Sequence, residues 1–125
     1  MFAMRLLTLS EPLSVYQVHD LSHIDLKQKP LFISQTEDEL SIVSASKTVP
    51  KDTLKREDEW RALKIEGVLD FSLVGILATI SSLLAAKNIS IFAISTYNTD
   101  YILVKADTLV EAINILEAND YTVEK

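Results

Sequence analysis

Two helical patterns in the second half of the chain each lie between extended segments, and this order constrains the fold more than any other feature. Apolar residues recur at steps of three and four along residues 73–84 and 109–116, as on helices packed against a sheet. Alternating or β-branched residues indicate four strands, at residues 61–66, 89–95, 101–104 and 121–123. The order βαββαβ predicts a split βαβ plan, with both helices on one face of the sheet.

Polar residues at the ends of the predicted helices support these assignments. Asp70 or Ser72 can cap the start of the first helix, and Asn88 suits a left-handed residue at its end. Thr108 and Glu111 have the spacing of a capping box at the start of the second helix. We therefore expect two short helices with bounds close to these residues.

The first half of the chain has short apolar runs but no helical stripe that lasts three turns. Four strands are indicated, at residues 4–9, 14–18, 31–34 and 40–43. Residues 44–59 are polar and charged and contain Pro50, which favours a solvated linker. We therefore predict a boundary near residue 59, with a degenerate, helix-poor half at residues 1–59 and a complete βαββαβ domain at residues 60–125.

Charge and composition argue against some partners. The 12 basic and 18 acidic residues give a net charge of -6, which repels phosphate backbones, so we expect no nucleic-acid partner. The longest apolar stretch, residues 73–86, is too short to span a bilayer, so we expect no membrane partner. The absence of cysteine excludes disulfides and thiolate metal sites, and we expect a cytoplasmic protein.

The two histidines suggest a metal site only at first sight. His19 and His23 are four residues apart, with Asp20 and Asp25 nearby. On a helix this spacing would bring two ligands together, but the surrounding segment has no helical stripe. We expect a solvated loop and no metal.

Motifs of catalysis and of cofactor binding are missing from the sequence. With two glycines, the chain contains neither a phosphate-cradling glycine loop nor the Gly-x-Ser-x-Gly turn that exposes a nucleophilic serine. We expect no cofactor and no enzymatic activity.

Several segments resemble small tandem ACT-domain proteins, a family related to the regulatory domains of aspartokinases and to arginine sensors of the CASTOR type. The resemblance is carried by residues 60–67, 70–71, 75–78 and 91–104, and more weakly by residues 14–16 and 36–43. It implies an α+β, ferredoxin-like ACT fold, two ACT halves in one chain and side-by-side association of sheets. It also implies binding of a free amino acid without chemistry on it.

The resemblance further implies where the ligand binds. Matching the motif places the binding positions in the turn from the first strand to the first helix, and in the hairpin between the middle strands. These positions are Gly67, Asp70, Phe71, Ser72, Leu73, Val74, Thr96, Tyr97 and Asp100. The chain departs from the arginine sensors in one respect: its turn has a single glycine, Gly75, whereas they carry another glycine roughly at the position of Ser72. We expect a side chain there to narrow the pocket.

The chemistry of these residues fits a zwitterion. Unpaired N–H groups of Ser72, Leu73 and Val74 at the helix start would attract a carboxylate. Asp70 and Asp100 would accept hydrogen bonds from an ammonium group, each contributing about 1.5–3 kcal/mol. Simpler roles stay open, namely a helix cap for Asp70 and turn chemistry for Asp100.

We therefore predict a regulatory or sensor module that binds a free amino acid at the interface of its two ACT halves, as a homodimer. We expect no effector domain in the chain, so the signal would pass to an unidentified effector protein. One alternative is a structural or protein-interaction module that has lost its ligand. A second is a small enzyme that uses Asp70 or Asp100 as an acid or base.

Overall fold

The computed structural model describes residues 4–66 and 75–125. Along these residues the strands are β1 (Arg5–Thr8), β2 (Leu13–Gln17), β3 (Leu31–Gln35), β4 (Leu40–Ala45), β5 (Lys55–Ile65), β6 (Phe92–Ser95), β7 (Asp100–Lys105) and β8 (Thr122–Glu124). The helices are α1 (Ile76–Ala85) and α2 (Leu109–Ala118), with 3₁₀ turns at Ser46–Thr48 and Ala106–Thr108. Neither helix in these ranges is long and apolar enough to cross a membrane.

The described residues form two compact units. Unit 1 contains the residues up to Ser10 and those from Arg61 to the end of the chain, and unit 2 is Glu11–Trp60. The division falls within β5, between Trp60 and Arg61. It lies beside the predicted boundary, whereas residues 4–10, which the sequence places in the first half, group with unit 1.

The strands of unit 1 are ordered β6-β7-β5-β1-β8. β6 and β7 form an antiparallel hairpin, in which Ser95 lies opposite Asp100. β1 is antiparallel to β5 and parallel to β8, so Leu6 lies between Ile65 and Val123. From β5 to β8 the elements follow the predicted βαββαβ order, and the predicted α+β, ferredoxin-like fold is confirmed. β1 is an additional strand between β5 and β8.

Both helices of unit 1 share one core with alternate residues of the strands. The helices contribute Ile80 and Leu84 from α1 and Ala112, Ile113 and Leu116 from α2. The strands contribute Leu6, Leu63, Ile65, Ile102, Val104 and Val123. Burying one leucine or isoleucine side chain contributes about 1.5–3 kcal/mol, so this core fixes the strands from which the turns emerge.

Helix α1 ends as the sequence predicts. Asn88 has a φ of 61°, the left-handed conformation. Its N–H donates to the carbonyl of Ala85 at 2.9 Å, and the N–H of Ile89 donates to the carbonyl of Leu84 at 3.0 Å. These bonds satisfy carbonyls of the last helical turn, and the prediction for Asn88 is confirmed.

The capping box predicted at the start of α2 is wrong. Thr108 stands at the N-cap, but its side chain makes no capping hydrogen bond. The Thr108 hydroxyl instead donates to the carbonyl of Lys105 at 2.9 Å. Because a 3₁₀ turn leads directly into α2, the hydroxyl bonds backward to the carbonyl that precedes this turn.

Unit 2 keeps the same strand order without the helices. Its strands are ordered β3-β4-β2-β5, and each neighbouring pair is antiparallel. This order corresponds to β6-β7-β5-β8 of unit 1, with β1 left out. Between Glu11 and Trp60, all of which the structure describes, there is no α-helix. The predicted helix-poor, ACT-like first half is therefore confirmed as a fold.

The solvated linker predicted at residues 44–59 is wrong for much of its length. Ser44 and Ala45 are buried in β4, and residues 55–59 belong to β5. Glu57 lies opposite Val15 of β2. All five side chains of residues 55–59 are exposed, so the run has no apolar alternation. Its backbone pairs with β2, and the Ser14 hydroxyl of β2 also donates to the Asp58 carboxylate.

Local hydrogen bonds repeat in the two units at a spacing of 60 residues. In both hairpin turns a threonine N–H donates to the carbonyl three residues later, at 2.9 Å from Thr36 and 2.8 Å from Thr96. In both 3₁₀ turns a threonine hydroxyl donates to the carbonyl three residues earlier, at 2.7 Å from Thr48 and 2.9 Å from Thr108. The two units therefore share one arrangement of strands and turns.

Candidate functional site

The structure places three of the predicted binding residues on the β6–β7 hairpin. Thr96 and Tyr97 lie in the exposed turn, where the side chain of Tyr97 is 86% exposed. Asp100 is the first residue of β7 and is partly buried. The other predicted positions lie outside the described residues, namely Gly67, Asp70, Phe71, Ser72, Leu73 and Val74.

Hydrogen bonds within the turn fix its shape. The backbone N–H and the hydroxyl of Thr96 both donate to the carbonyl of Thr99, at 2.8 and 3.1 Å. The N–H of Thr99 donates back to the Thr96 hydroxyl oxygen at 3.4 Å. The turn is therefore closed by its first and last residues, and Asp100 follows directly after it.

A side-chain hydrogen bond connects this turn to β5. Thr99 is only 6% exposed, and its hydroxyl donates to the carbonyl of Ile65 at 2.5 Å. Ile65 is the last residue of β5, two positions before Gly67, where the predicted binding turn begins. The bond therefore holds the hairpin turn against the end of the strand that leads into that turn.

Sequence reasoning missed Thr99 as part of this arrangement. Its place in a run of turn-forming residues predicts the hairpin, but nothing in that run identifies Ile65 as the acceptor. The two residues are 34 positions apart, and their contact depends on the sheet that brings β7 beside β5.

The described start of α1 offers donors for an anion. Gly75 has a φ of 88°, a conformation that glycine adopts without steric cost. The carbonyl of Gly75 accepts a hydrogen bond from Thr79 N–H at 2.8 Å, which closes the first helical turn. The N–H groups of residues 76–78 therefore have no acceptor within α1 and carry the positive end of its dipole. The predicted donors at Ser72, Leu73 and Val74 lie outside the described residues.

The two histidines lie in a segment whose contacts the structure describes. No three His, Asp or Glu side chains there are arranged as metal ligands. His23 Nδ1 lies 3.5 Å from an oxygen of Asp52, and both side chains are largely exposed. Asp20 accepts hydrogen bonds from the hydroxyl and the N–H of Ser22, and these bonds lower the pKa of its carboxyl.

Unit 2 has an open cleft at the position that corresponds to the hairpin site of unit 1. The cleft has a volume of about 320 Å³ and lies between the end of β2 and the turn at residues 36–39. At its edge the Gln17 amide donates to the Glu39 carboxylate at 3.0 Å. Its lining is Gln17, Val18, His19, Gln35, Thr36, Glu37, Asp38, Glu39, Leu40 and Leu54.

The strand order and the two helices of unit 1 define a ferredoxin-like α+β domain. Its candidate site lies where the hairpin turn between β6 and β7 is bonded to the end of β5. The sequence model of the ACT domain matches residues 55–118, which is 64 of the 125 residues. The chain belongs to the ACT domain family.

Curated relatives match part of the chain. The human cytosolic arginine sensor for mTORC1 subunit 1 is 38% identical over 85 residues, which cover 62% of this chain and 26% of the human protein. The chain therefore spans about a quarter of the length of the curated relatives that it matches.

Solved structures share the fold over nearly the whole chain. A crystal structure of an Agobacterium tumefaciens protein has a TM-score of 0.84 at 24% identity, covering 98% of this chain and 93% of that one. The ligand-free regulatory subunit of aspartate kinase from Thermus thermophilus has a TM-score of 0.60 at 8% identity, covering 90% and 95%. At these identities the likeness concerns the fold.

Proposed function

We propose that this chain is a non-catalytic regulatory module that binds a free amino acid. Membership of the ACT domain family and the likeness to a protein named as an arginine sensor support this function. The main structural support for this function is the hydrogen bond from Thr99 to Ile65. This bond connects Thr99, the residue before Asp100, to the last residue of β5, two positions before the predicted binding turn.

The two ends of an amino acid call for opposite charges in the site. The N–H groups at the start of α1, together with the turn at residues 67–74, would take the carboxylate. Asp100 and Asp70 would take the ammonium group by charge-assisted hydrogen bonds, each worth about 1.5–3 kcal/mol. Gly67, Phe71 and the side chains at the exposed turn, Thr96 and Tyr97, would form the walls.

A thermal-shift screen of the 20 standard amino acids on the full chain tests this proposal. Binding to the folded state raises the melting temperature, and L-arginine is a primary probe because the matched relative is named for it. If none of the amino acids raises the melting temperature at millimolar concentration, amino-acid binding is wrong for this chain.

Calorimetry on one variant then tests the site. Asp100→Asn keeps the shape of the side chain and removes its charge, so we expect the Kd for the amino acid to weaken about tenfold. Asp120→Asn is a matched control, because Asp120 is exposed at the end of α2 and its left-handed backbone also suits asparagine. Equal Kd values for both variants and the wild type would contradict a role for Asp100.

A regulatory module must pass on its signal. We propose that the chain is a cytoplasmic homodimer and that an effector protein responds to its amino-acid-bound form. Light scattering with and without the amino acid measures the oligomeric state. A monomer under both conditions would exclude the homodimer.

A protein-interaction module without a ligand is the second candidate function. It is favoured by the outer face of α1, a helix without a charged residue in a chain of net charge -6. An apolar groove of about 390 Å³ runs along this face, lined by Ala78, Thr79, Ser82, Leu83 and Ala86. If this function holds, a pull-down with the wild type would recover a partner that Ser82→Lys fails to recover, and no amino acid would raise the melting temperature of the wild type.

A further inference from the structure

Given the amino-acid site proposed above, on which this inference rests, we propose that Thr99 is a positioning residue for ligand binding. It acts through Asp100, the next residue, and its hydroxyl bond to Ile65 sets where Asp100 stands. Thr99 lies within the family motif but outside the binding positions that the resemblance implies.

Every polar atom of Thr99 is engaged. Its carbonyl accepts two hydrogen bonds from Thr96, and its N–H donates to the Thr96 hydroxyl oxygen. Its own hydroxyl donates to the carbonyl of Ile65, and the side chain is buried. The first three bonds close the hairpin turn upon itself, whereas the fourth connects Thr99 to the end of β5, in a sheet in which β7 also pairs with β5.

The same connection recurs in unit 2 with different chemistry. Glu39 takes the place of Thr99 at the end of the 36–39 turn, and Gln17, like Ile65, is the last residue of its strand. There the Gln17 amide donates to the Glu39 carboxylate at 3.0 Å. The last residue of the hairpin turn is therefore bonded to the last residue of β5 in unit 1 and to the last residue of β2 in unit 2. The bonding groups differ between the two units.

The bond from Thr99 to Ile65 would fix the position of Asp100 before a ligand binds. Tyr97, at the tip of the turn, is largely exposed, so the apolar core does not cover the tip. Without the bond to Ile65, the turn would keep its internal bonds but lose its attachment to the end of β5, and fixing its orientation when the ligand binds would cost entropy and weaken binding. Loss of one such bond corresponds to a Kd about tenfold weaker.

Three variants of the full chain separate positioning from general stability. Thr99→Val keeps the size and branching of the side chain and removes the hydroxyl. Thr99→Ser keeps the hydroxyl and should restore binding. Thr108→Val is the matched control, since it removes another threonine hydroxyl bond to a carbonyl of unit 1, at the end of β7 away from the hairpin turn. Thr99→Ala replaces Thr99→Val if the latter does not fold.

Calorimetry gives the Kd, and a melting curve gives the stability of each variant. The probe is L-arginine or, if another standard amino acid raises the wild-type melting temperature more, that amino acid. We expect Thr99→Val to bind about tenfold more weakly and Thr99→Ser to bind within about twofold of the wild type. Thr108→Val should lower the melting temperature and leave the Kd unchanged.

The outcomes distinguish this inference from the proposed function. If the wild type binds an amino acid and Thr99→Val binds it equally well, Thr99 is structural and the positioning role is wrong. The same conclusion follows if Thr99→Ser fails to restore the Kd. If the wild type binds none of the standard amino acids, the proposed function is wrong, and the positioning role is wrong with it.

Discussion

Leu6 lies directly opposite Ile65 in the sheet of unit 1, and both side chains are fully buried. On its other side β1 runs parallel to β8. The strand at the start of the chain therefore completes the core that residues from Arg61 onward form. Ile65 also carries the carbonyl that holds the hairpin turn, so the packing of β1 supports the strand end beside the candidate site.

Truncation of Leu6 tests this contribution. Leu6→Ala removes a fully buried side chain between two strands, and we expect a loss of about 2–5 kcal/mol in the free energy of unfolding. Urea denaturation measures the loss. Leu26→Ala is the control, because Leu26 is 62% exposed and its truncation should cost less than about 0.5 kcal/mol. Equal losses would mean that β1 contributes little to the core.

The sequence predicts features that depend on neighbouring residues. Asn88 ends α1 in the left-handed conformation because its side chain tolerates that backbone and a helix needs such a stop. The period of the apolar residues predicts both helices, since only one face of each can be buried. These signals are local, and the structure agrees with them.

Features that depend on pairing between residues far apart in the sequence could not be predicted from local patterns. Residues 55–59 carry five charged side chains, and the backbone of β2 makes them a strand. The sequence assigns β1 to the first half of the chain, whereas in the structure β1 pairs with β5 and β8 of unit 1. The bond from Thr99 to Ile65 is hidden for the same reason, whereas the turn that contains Thr96, Tyr97 and Asp100 is recognisable from its composition.

The buried hydroxyl pair in unit 2 supports a second prediction. Tyr16 and Ser44 form a hydrogen bond of 2.8 Å in the core of this unit. Tyr16→Phe should lower the free energy of unfolding by about 0.5–1.5 kcal/mol, because the Ser44 hydroxyl loses the phenol as a partner while the ring still packs. In urea denaturation, the double variant with Ser44→Ala should lose less than the sum of the two single variants. Strict additivity would show that this pair contributes no coupling energy.

Asp20 supports a prediction about acid. Hydrogen bonds from Ser22 lower the pKa of Asp20 in the folded protein below its ordinary value near 3.8. The charged form is therefore favoured by folding, and its contribution is present above that ordinary value and fades as the pH falls through the lower, folded value.

Urea denaturation of the wild type and of Asp20→Asn measures this dependence. The difference in stability between them should be constant near pH 6 and should shrink below about pH 4. Ser22→Ala removes the hydroxyl donor, the largest cause of the lowered pKa, and keeps the backbone donor, so the pH dependence should become smaller. A difference that grows on acidification would contradict the assigned sign.

Gly75 supports the last prediction, because its left-handed backbone sets the start of α1. A Cβ added there would meet no atom within 4 Å, so a substitution acts through backbone conformation and not through crowding. Gly75→Ala should cost about 1–2 kcal/mol in the free energy of unfolding, the usual penalty for an L-residue in this region. Gly75→Asn should cost less, since asparagine tolerates the conformation. Urea denaturation of both variants checks the order, and an alanine variant as stable as the wild type would show that the helix can start without a left-handed residue.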